Sequence, residues 1–132
     1  MEYPEFQSLG KEVRAPVRRL EVFPAPAGVD RVTLSSDEVT SLCPVTGQPD
    51  FATVTIEYAP DGLCLESKSL KLYLWSFREA GIFCEALASR IAEDISAACR
   101  PRWCCVTVIQ KPRGGIKITA TATRGHAPGA PA

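Results

Sequence analysis

A hydrophobic period that switches twice along the chain constrains the fold more than any other feature. From Phe51 to Tyr58 the residues alternate strictly, with Ala52, Val54, Ile56 and Tyr58 on one face and Thr53, Thr55 and Glu57 on the other, the pattern of a half-buried strand. Pro60-Asp61-Gly62 then supplies turn chemistry and Leu63 to Glu66 resumes a short apolar run, which together predict a hairpin. The period next lengthens: Leu70, Tyr73, Leu74 and Phe77 stand at i, i+3, i+4 and i+7, with Ser67 or Ser69 placed to cap a helix and Gly81 to break it. A second amphipathic helix runs from Phe83 through Leu87, Ile91, Ile95 and Ala98 to a stop at Pro101, with Arg90, Glu93 and Asp94 outward. Alternation returns over Trp103 to Ile109 and Ile116 to Ala122, and Pro112-Arg113-Gly114-Gly115 between them completes a second hairpin.

Strand, strand, helix, helix, strand, strand in 132 residues predicts one α+β domain, an antiparallel sheet with two helices on one face. Its outer strands would be open edges, suited to closing against copies of the same chain. The flanks differ in composition. Residues 1–30 hold Pro4, Pro16, Pro24 and Pro26 and predict an extended arm, residues 31–122 the folded domain, and residues 123–132 a tail that carries the sole histidine, His126.

Charge and cysteine usage narrow the function classes. Fifteen Lys plus Arg offset fifteen Asp plus Glu, so no global field draws the chain to nucleic acid or an anionic membrane. The apolar runs fall short of the roughly 20 residues that a membrane span requires, and the start lacks a basic segment followed by an apolar one. A cytoplasmic setting is therefore expected, in which the six cysteines stay reduced. Cys64, Cys99, Cys104 and Cys105 show no C-x-x-C spacing and the folded region has no histidine, so no metal site is expected.

Three constellations could carry chemistry. Leu42 to Phe51 is a Pro- and Gly-rich loop that holds Cys43 and Asp50 seven residues apart, a thiol nucleophile and a carboxylate able to pass its proton; a buried loop cysteine and a turn aspartate are the plainer alternative. In Glu66 to Arg78, a helix puts Lys71, Trp75 and Arg78 on the face away from Leu70, Leu74 and Phe77, with Lys68 just before the first turn. Cations beside helix N-terminal amides suit a phosphate, although a solvated basic face is the commoner fate of such residues. Arg113 is the third, in a turn whose two glycines let backbone approach a ligand. On the second helix Cys84 falls on the apolar side and Glu85 opposite it.

Taken together, Cys43 and Asp50 in the first loop, the run Glu66-Ser-Lys-Ser-Leu-Lys-Leu-Tyr-Leu-Trp, Glu85, and Pro112-Arg-Gly-Gly resemble the NADPH-dependent 7-cyano-7-deazaguanine reductases, the nitrile reductases of queuosine biosynthesis. The resemblance spans roughly residues 30 to 122 and the short, single-module form of the family. It implies the tunnelling fold, in which subunits join strands into a barrel and active sites lie between neighbours. It also implies that Cys43 attacks the nitrile carbon to give a thioimide, that Asp50 manages protons, and that two NADPH supply hydride. Leu65, Glu66, Ser67, Cys84 and Glu85 would hold the deazaguanine, and Lys68, Lys71 and Arg113 the NADPH phosphates. Cys84 departs from the family, which usually has His before this glutamate; if Cys84 lies near Cys43, the two thiols could pair reversibly. Two other readings stay open: a related amidinotransferase that forms the same thioimide on transfer RNA, and a non-catalytic deazapurine-binding oligomer. The retained basic run and the absence of a broad basic patch argue against the first, intact Cys43 and Asp50 against the second.

Overall fold

The structure is a computed structural model that describes residues 19–127. Most of the expected arm, and the end of the expected tail, lie outside the described residues. Eight elements follow in order: strands β1 (Val22–Pro24), β2 (Val32–Leu42), β3 (Pro49–Ala59) and β4 (Leu63–Leu65), helices α1 (Ser67–Trp75) and α2 (Cys84–Cys99), and strands β5 (Trp103–Arg113) and β6 (Ile116–Gly125). An antiparallel four-stranded sheet has the order β2-β3-β5-β6, and β1 pairs with β4 in a small second sheet.

This departs from the expected order at both ends of the first hairpin. β3 pairs with β2 on one side and β5 on the other, so neither edge is free for β4. β4 instead pairs with β1 from the proline-rich segment, and the Leu65 N–H donates to the Tyr58 hydroxyl at 2.9 Å, which holds it over β3. β6 continues to Gly125, opposite Trp103, three residues beyond the end of the apolar alternation, because the ladder outlasts the apolar residues.

β2 carries no regular alternation in its sequence, for a specific reason. Its register slips between Ser36 and Val39, and the inward positions change from Val32, Leu34 and Ser36 to Val39 and Ser41. A slip of one residue turns every later side chain to the opposite face. Cys43, two beyond Ser41, is thereby brought to the core side, where it is buried.

One face of the sheet carries the core. Ala52, Val54, Ile56 and Tyr58 of β3 and Cys104, Val106 and Val108 of β5 meet Leu87, Ala88, Ile91, Ala92, Ile95 and Cys99 of α2. Ile56, Ile91, Ile95, Val106 and Val108 are at most 1% exposed. The other face is rich in threonine, with Thr53, Thr55, Thr107, Thr119, Thr121 and Thr123 half or fully exposed, residues that favour strands while tolerating water. α2 lies over β5 and β6, and α1 over β2; the Tyr73 hydroxyl ties the helices together by donating to Asp94 at 2.6 Å.

Candidate active site

The loop after β2 is folded around the Cys43 thiol. The Cys43 N–H donates to the Gln48 carbonyl at 2.8 Å and the Gly47 N–H to the Cys43 carbonyl at 2.9 Å, a closure that Gly47 permits at φ 73°. The Gln48 N–H donates to the Thr46 hydroxyl oxygen at 3.2 Å, which leaves the hydroxyl proton free to be donated elsewhere. Its acceptor is the Cys43 sulfur: the Thr46 hydroxyl, then the backbone N–H groups of Thr46 and Val45, then the Arg113 guanidinium, pull the thiol pKa down to about 6. The sulfur is shielded by its own loop rather than sunk in the core, and desolvation opposes these donors only weakly. Cys43 is a thiolate at neutral pH and a competent nucleophile.

Gly81 serves this loop rather than ending α1. α1 stops at Trp75 with Ser76 as its C-cap, and Gly81 lies in a parallel bridge with Leu42. The Leu42 N–H donates to the Ala80 carbonyl at 2.9 Å and the Ile82 N–H to the Leu42 carbonyl at 3.1 Å. A β-carbon on Gly81 would lie 3.5 Å from Pro44.

Asp50 opens β3 on the core face and is 6% exposed. Arg113 Nη1 is 3.3 Å from its Oδ1 and also bonds to the Cys43 sulfur, which together hold the guanidinium charged. The turn that delivers Arg113 has two successive left-handed glycines, Gly114 at φ 62° and Gly115 at φ 82°, which reverse the chain tightly between Arg113 and Ile116. One cation thus bridges a thiolate and a carboxylate that would otherwise repel. Within one chain Arg113 stands with Cys43 and Asp50 and not with Lys68 and Lys71, the residues it is grouped with as an expected phosphate contact.

Cys84 begins α2, 3% exposed, with its thiol directed at the Val108 carbonyl 3.7 Å away. Burial first, then the charge of Glu85, raise its pKa, and the Asp50 charge adds to this. It is therefore a neutral thiol within the field of Asp50. All six cysteines, Cys43 and Cys84 included, are free, and Glu85 is exposed in the first turn of α2.

The remaining expected residues gather around α1. Its N-cap is Glu66, not a serine: the carboxylate accepts from the Lys68 N–H at 2.6 Å and the Ser69 N–H at 2.8 Å. Those amides are consequently not open to a phosphate. The Glu21 N–H donates to the Ser69 hydroxyl at 2.9 Å and its carbonyl accepts from the Glu66 N–H at 2.9 Å, so the segment next to β1 clamps this turn. Leu65 is buried in β4. Ser67, Lys71 and Trp75 face a cavity of about 550 Å³ between α1 and the β2–β3 ribbon, floored by Leu34, Val54 and Ile56. Cys43, Asp50 and Arg113 do not line it. In a single chain the expected residues form two groups, a nucleophile group and an α1 group, rather than one pocket.

Thr46 and Val45 were not singled out from sequence. The signal was present in Cys-Pro-Val-Thr-Gly, where a turn sends the N–H groups of Val45 and Thr46 back toward the cysteine, a concavity that holds an anion. No group of residues suited to a metal occurs among the described residues, and no described helix is long and apolar enough to cross a membrane.

Residues 49–128 match the family model for QueF-like protein. The NADPH-dependent 7-cyano-7-deazaguanine reductase of Syntrophus aciditrophicus (strain SB) is 53% identical over 116 residues, covering 86% of this chain and 82% of that protein. The protein of the same name from Anaeromyxobacter sp. (strain Fw109-5) is 49% identical over 116 residues, covering 86% and 94%. Among solved structures, the apo crystal structure of the archaeosine synthase QueF-Like superposes with a TM-score of 0.70 at 30% identity, covering 75% of this chain and 97% of that one.

Proposed function

Because the chain belongs to the QueF-like family, whose tunnelling-fold subunit it shares, we propose that it reduces the nitrile of 7-cyano-7-deazaguanine to the aminomethyl group with NADPH, in queuosine biosynthesis. The observation that carries this reading is the Cys43 thiolate, held at a pKa of about 6 by Thr46, Val45 and Arg113, with the Asp50 carboxylate on the same guanidinium. A thiolate is the species that adds to a nitrile carbon. The sulfur–carbon bond forms, the carbon–nitrogen π pair moves to nitrogen, and nitrogen takes a proton to give a thioimide. Asp50, which shares the Arg113 guanidinium with Cys43, carries protons to and from nitrogen in this reading. Nitrile to amine is a four-electron change, so two hydrides are needed: the first turns the thioimide into a thiohemiaminal, whose nitrogen lone pair expels the Cys43 thiolate to leave an imine, and the second, with a proton, turns the imine into the amine. Arg113 stabilises that leaving thiolate as it stabilised the entering one.

The cavity beside α1 offers NADPH the Lys71 ammonium for phosphate, the Ser67 hydroxyl and an exposed Trp75 ring for stacking, among apolar walls and one carboxylate, Glu38; Lys68, three residues before Lys71 on α1, is outside its lining. When bound there, NADPH supplies the hydride. Glu66, Ser67, Cys84 and Glu85 would contact the deazaguanine; Glu66 keeps spare lone pairs beyond the two helix amides it caps.

The α1 group and the nucleophile group meet across subunits in this reading. β2 and β6 are the open edges of the sheet. Val45, Phe51, Phe83 and Ile116, each close in sequence to a nucleophile-group residue, are 50 to 80% exposed, an apolar rim that a second copy would cover. The reducing cytoplasm is the setting that six free thiols fit.

The test is to mix the protein with the cyano-deazaguanine and NADPH and follow nicotinamide absorbance. Two NADPH oxidised per amine formed, abolished in Cys43→Ala, supports the reading. A covalent adduct on Cys43 with no NADPH oxidised would favour an amidinotransferase, and binding without an adduct a non-catalytic carrier.

A further inference from the structure

Gln110 is a polar residue in an apolar position. Along β5 the core face runs Cys104, Val106, Val108, all 0% exposed, and the next inward position is Gln110 at 7%. Among the described residues its side-chain amide makes no hydrogen bond, while every side-chain nitrogen or oxygen fully shut off from solvent has a partner. The Gln110 amide therefore opens onto a space. A primary amide offers two donors and an acceptor in one plane, and here they face an opening rather than a protein partner.

The register locates that space. Gln110 is opposite Ala52 of β3, whose small side chain leaves room above it. Asp50 is the next residue on that face of β3, about 7 Å along the strand. The Gln110 backbone N–H points toward the Cys84 sulfur, so Cys84 of α2 lies over this stretch of β5. Beyond Gln110 the pairing with β6 is interrupted until Arg113, where the strand turns toward Asp50 and Cys43. The amide thus forms the floor of the nucleophile group, with Asp50, Cys84 and Arg113 around it.

We propose that Gln110 is a substrate-recognition residue whose amide hydrogen-bonds the polar edge of the heterocycle that carries the nitrile. A fused pyrimidinone presents an N–H donor next to a carbonyl acceptor, and a primary amide matches that pair with one acceptor and one donor. This rests on the nitrile-reductase reading for the identity of the ligand but assigns a residue that the reading does not use.

The test compares wild type with Gln110→Met, which keeps length and apolar bulk, and Gln110→Glu, which keeps an acceptor and loses the donors. Cyano-deazaguanine binding is measured by calorimetry on Cys43→Ala backgrounds, and steady-state constants on the intact enzymes. Expected for Gln110→Met are a roughly 3- to 10-fold weaker affinity for the heterocycle, as for one or two lost hydrogen bonds, an unchanged NADPH constant, and an unchanged rate of Cys43 alkylation by iodoacetamide. Gln110→Glu should bind more weakly than wild type, with an affinity that depends on pH. Equal affinity in wild type and Gln110→Met overturns the assignment. If Cys43→Ala protein with Gln110 intact binds no cyano-deazaguanine, the functional reading itself has failed.

Discussion

Replacing Thr46 by valine removes one hydroxyl from the Cys43 thiolate and keeps side-chain shape and both backbone donors. That hydroxyl is the largest of the influences that bring the thiol to about pH 6. A hydrogen bond to a charged group shifts a titration by about one to two units, so the variant should titrate at about 7.5. Near pH 7 the wild-type thiol is about nine-tenths ionised, the variant's about a quarter. The more basic thiolate is also more nucleophilic, by about 5-fold for a Brønsted slope of ~0.4–0.5. These two effects nearly cancel near pH 7. The variant should react about 5-fold more slowly than wild type near pH 5.5 and about 5-fold faster above about pH 9, so the two profiles cross. The assay is the pH dependence of Cys43 alkylation, read by mass spectrometry of the peptide that contains it because Cys105 is also partly accessible. A Thr46→Val profile that overlays the wild type, or one lower at every pH with the same inflection, would refute the assignment of the shift to this hydroxyl.

Arg113→Lys should raise the Cys43 titration and lower turnover by roughly 100-fold with little change in the NADPH constant, since one ammonium cannot serve both sulfur and carboxylate as a planar guanidinium does; a change confined to the NADPH constant would restore the phosphate role. Because Cys43 ionises at about 6 in the folded protein against ~8.5 unfolded, its contribution to stability is complete above the unfolded value and lost as pH falls through the folded one. The urea midpoint of wild type relative to Cys43→Ser should accordingly rise between about pH 6 and about pH 8.5. Glu66→Ala removes the acceptor for two α1 amides and should cost about 1–2 kcal/mol in urea unfolding. Ile91→Ala, at a position 0% exposed under the sheet, should cost about 3–4 kcal/mol while leaving the alkylation profile of Cys43 unchanged.

How much of this was legible in the sequence depends on how local each cause is. The two helices and strands β3, β5 and β6 announce themselves because each keeps one period over its buried length. β2 hid because its period is broken at Ser36 to Val39, and a reader of alternation finds there only Ser-Ser-Asp-Glu. β4 was assigned the wrong partner because a turn beside β3 looks like a hairpin locally, whereas the competition for the edges of β3 is decided by β2 and β5, distant in sequence. Glu66 illustrates a chemical ambiguity: a glutamate ahead of Ser-Lys-Ser reads as a ligand contact, yet its first duty is the helix end.

The same slip that hid β2 also builds the site. Cys43 follows a strand whose inward parity has changed by one residue, and without that change the thiol would leave the sheet on the threonine face, away from Asp50, Cys84 and Gln110. The donors around the sulfur then come from chain immediately downstream, at Val45 and Thr46, while its cation arrives from a turn seventy residues on, at Arg113. A local loop can lower the pKa of a thiol by itself. Only the closed sheet can bring Asp50 and Arg113 to it, which is why the pairing of Cys43 with Asp50 could be read from spacing in the chain and the placement of Arg113 could not.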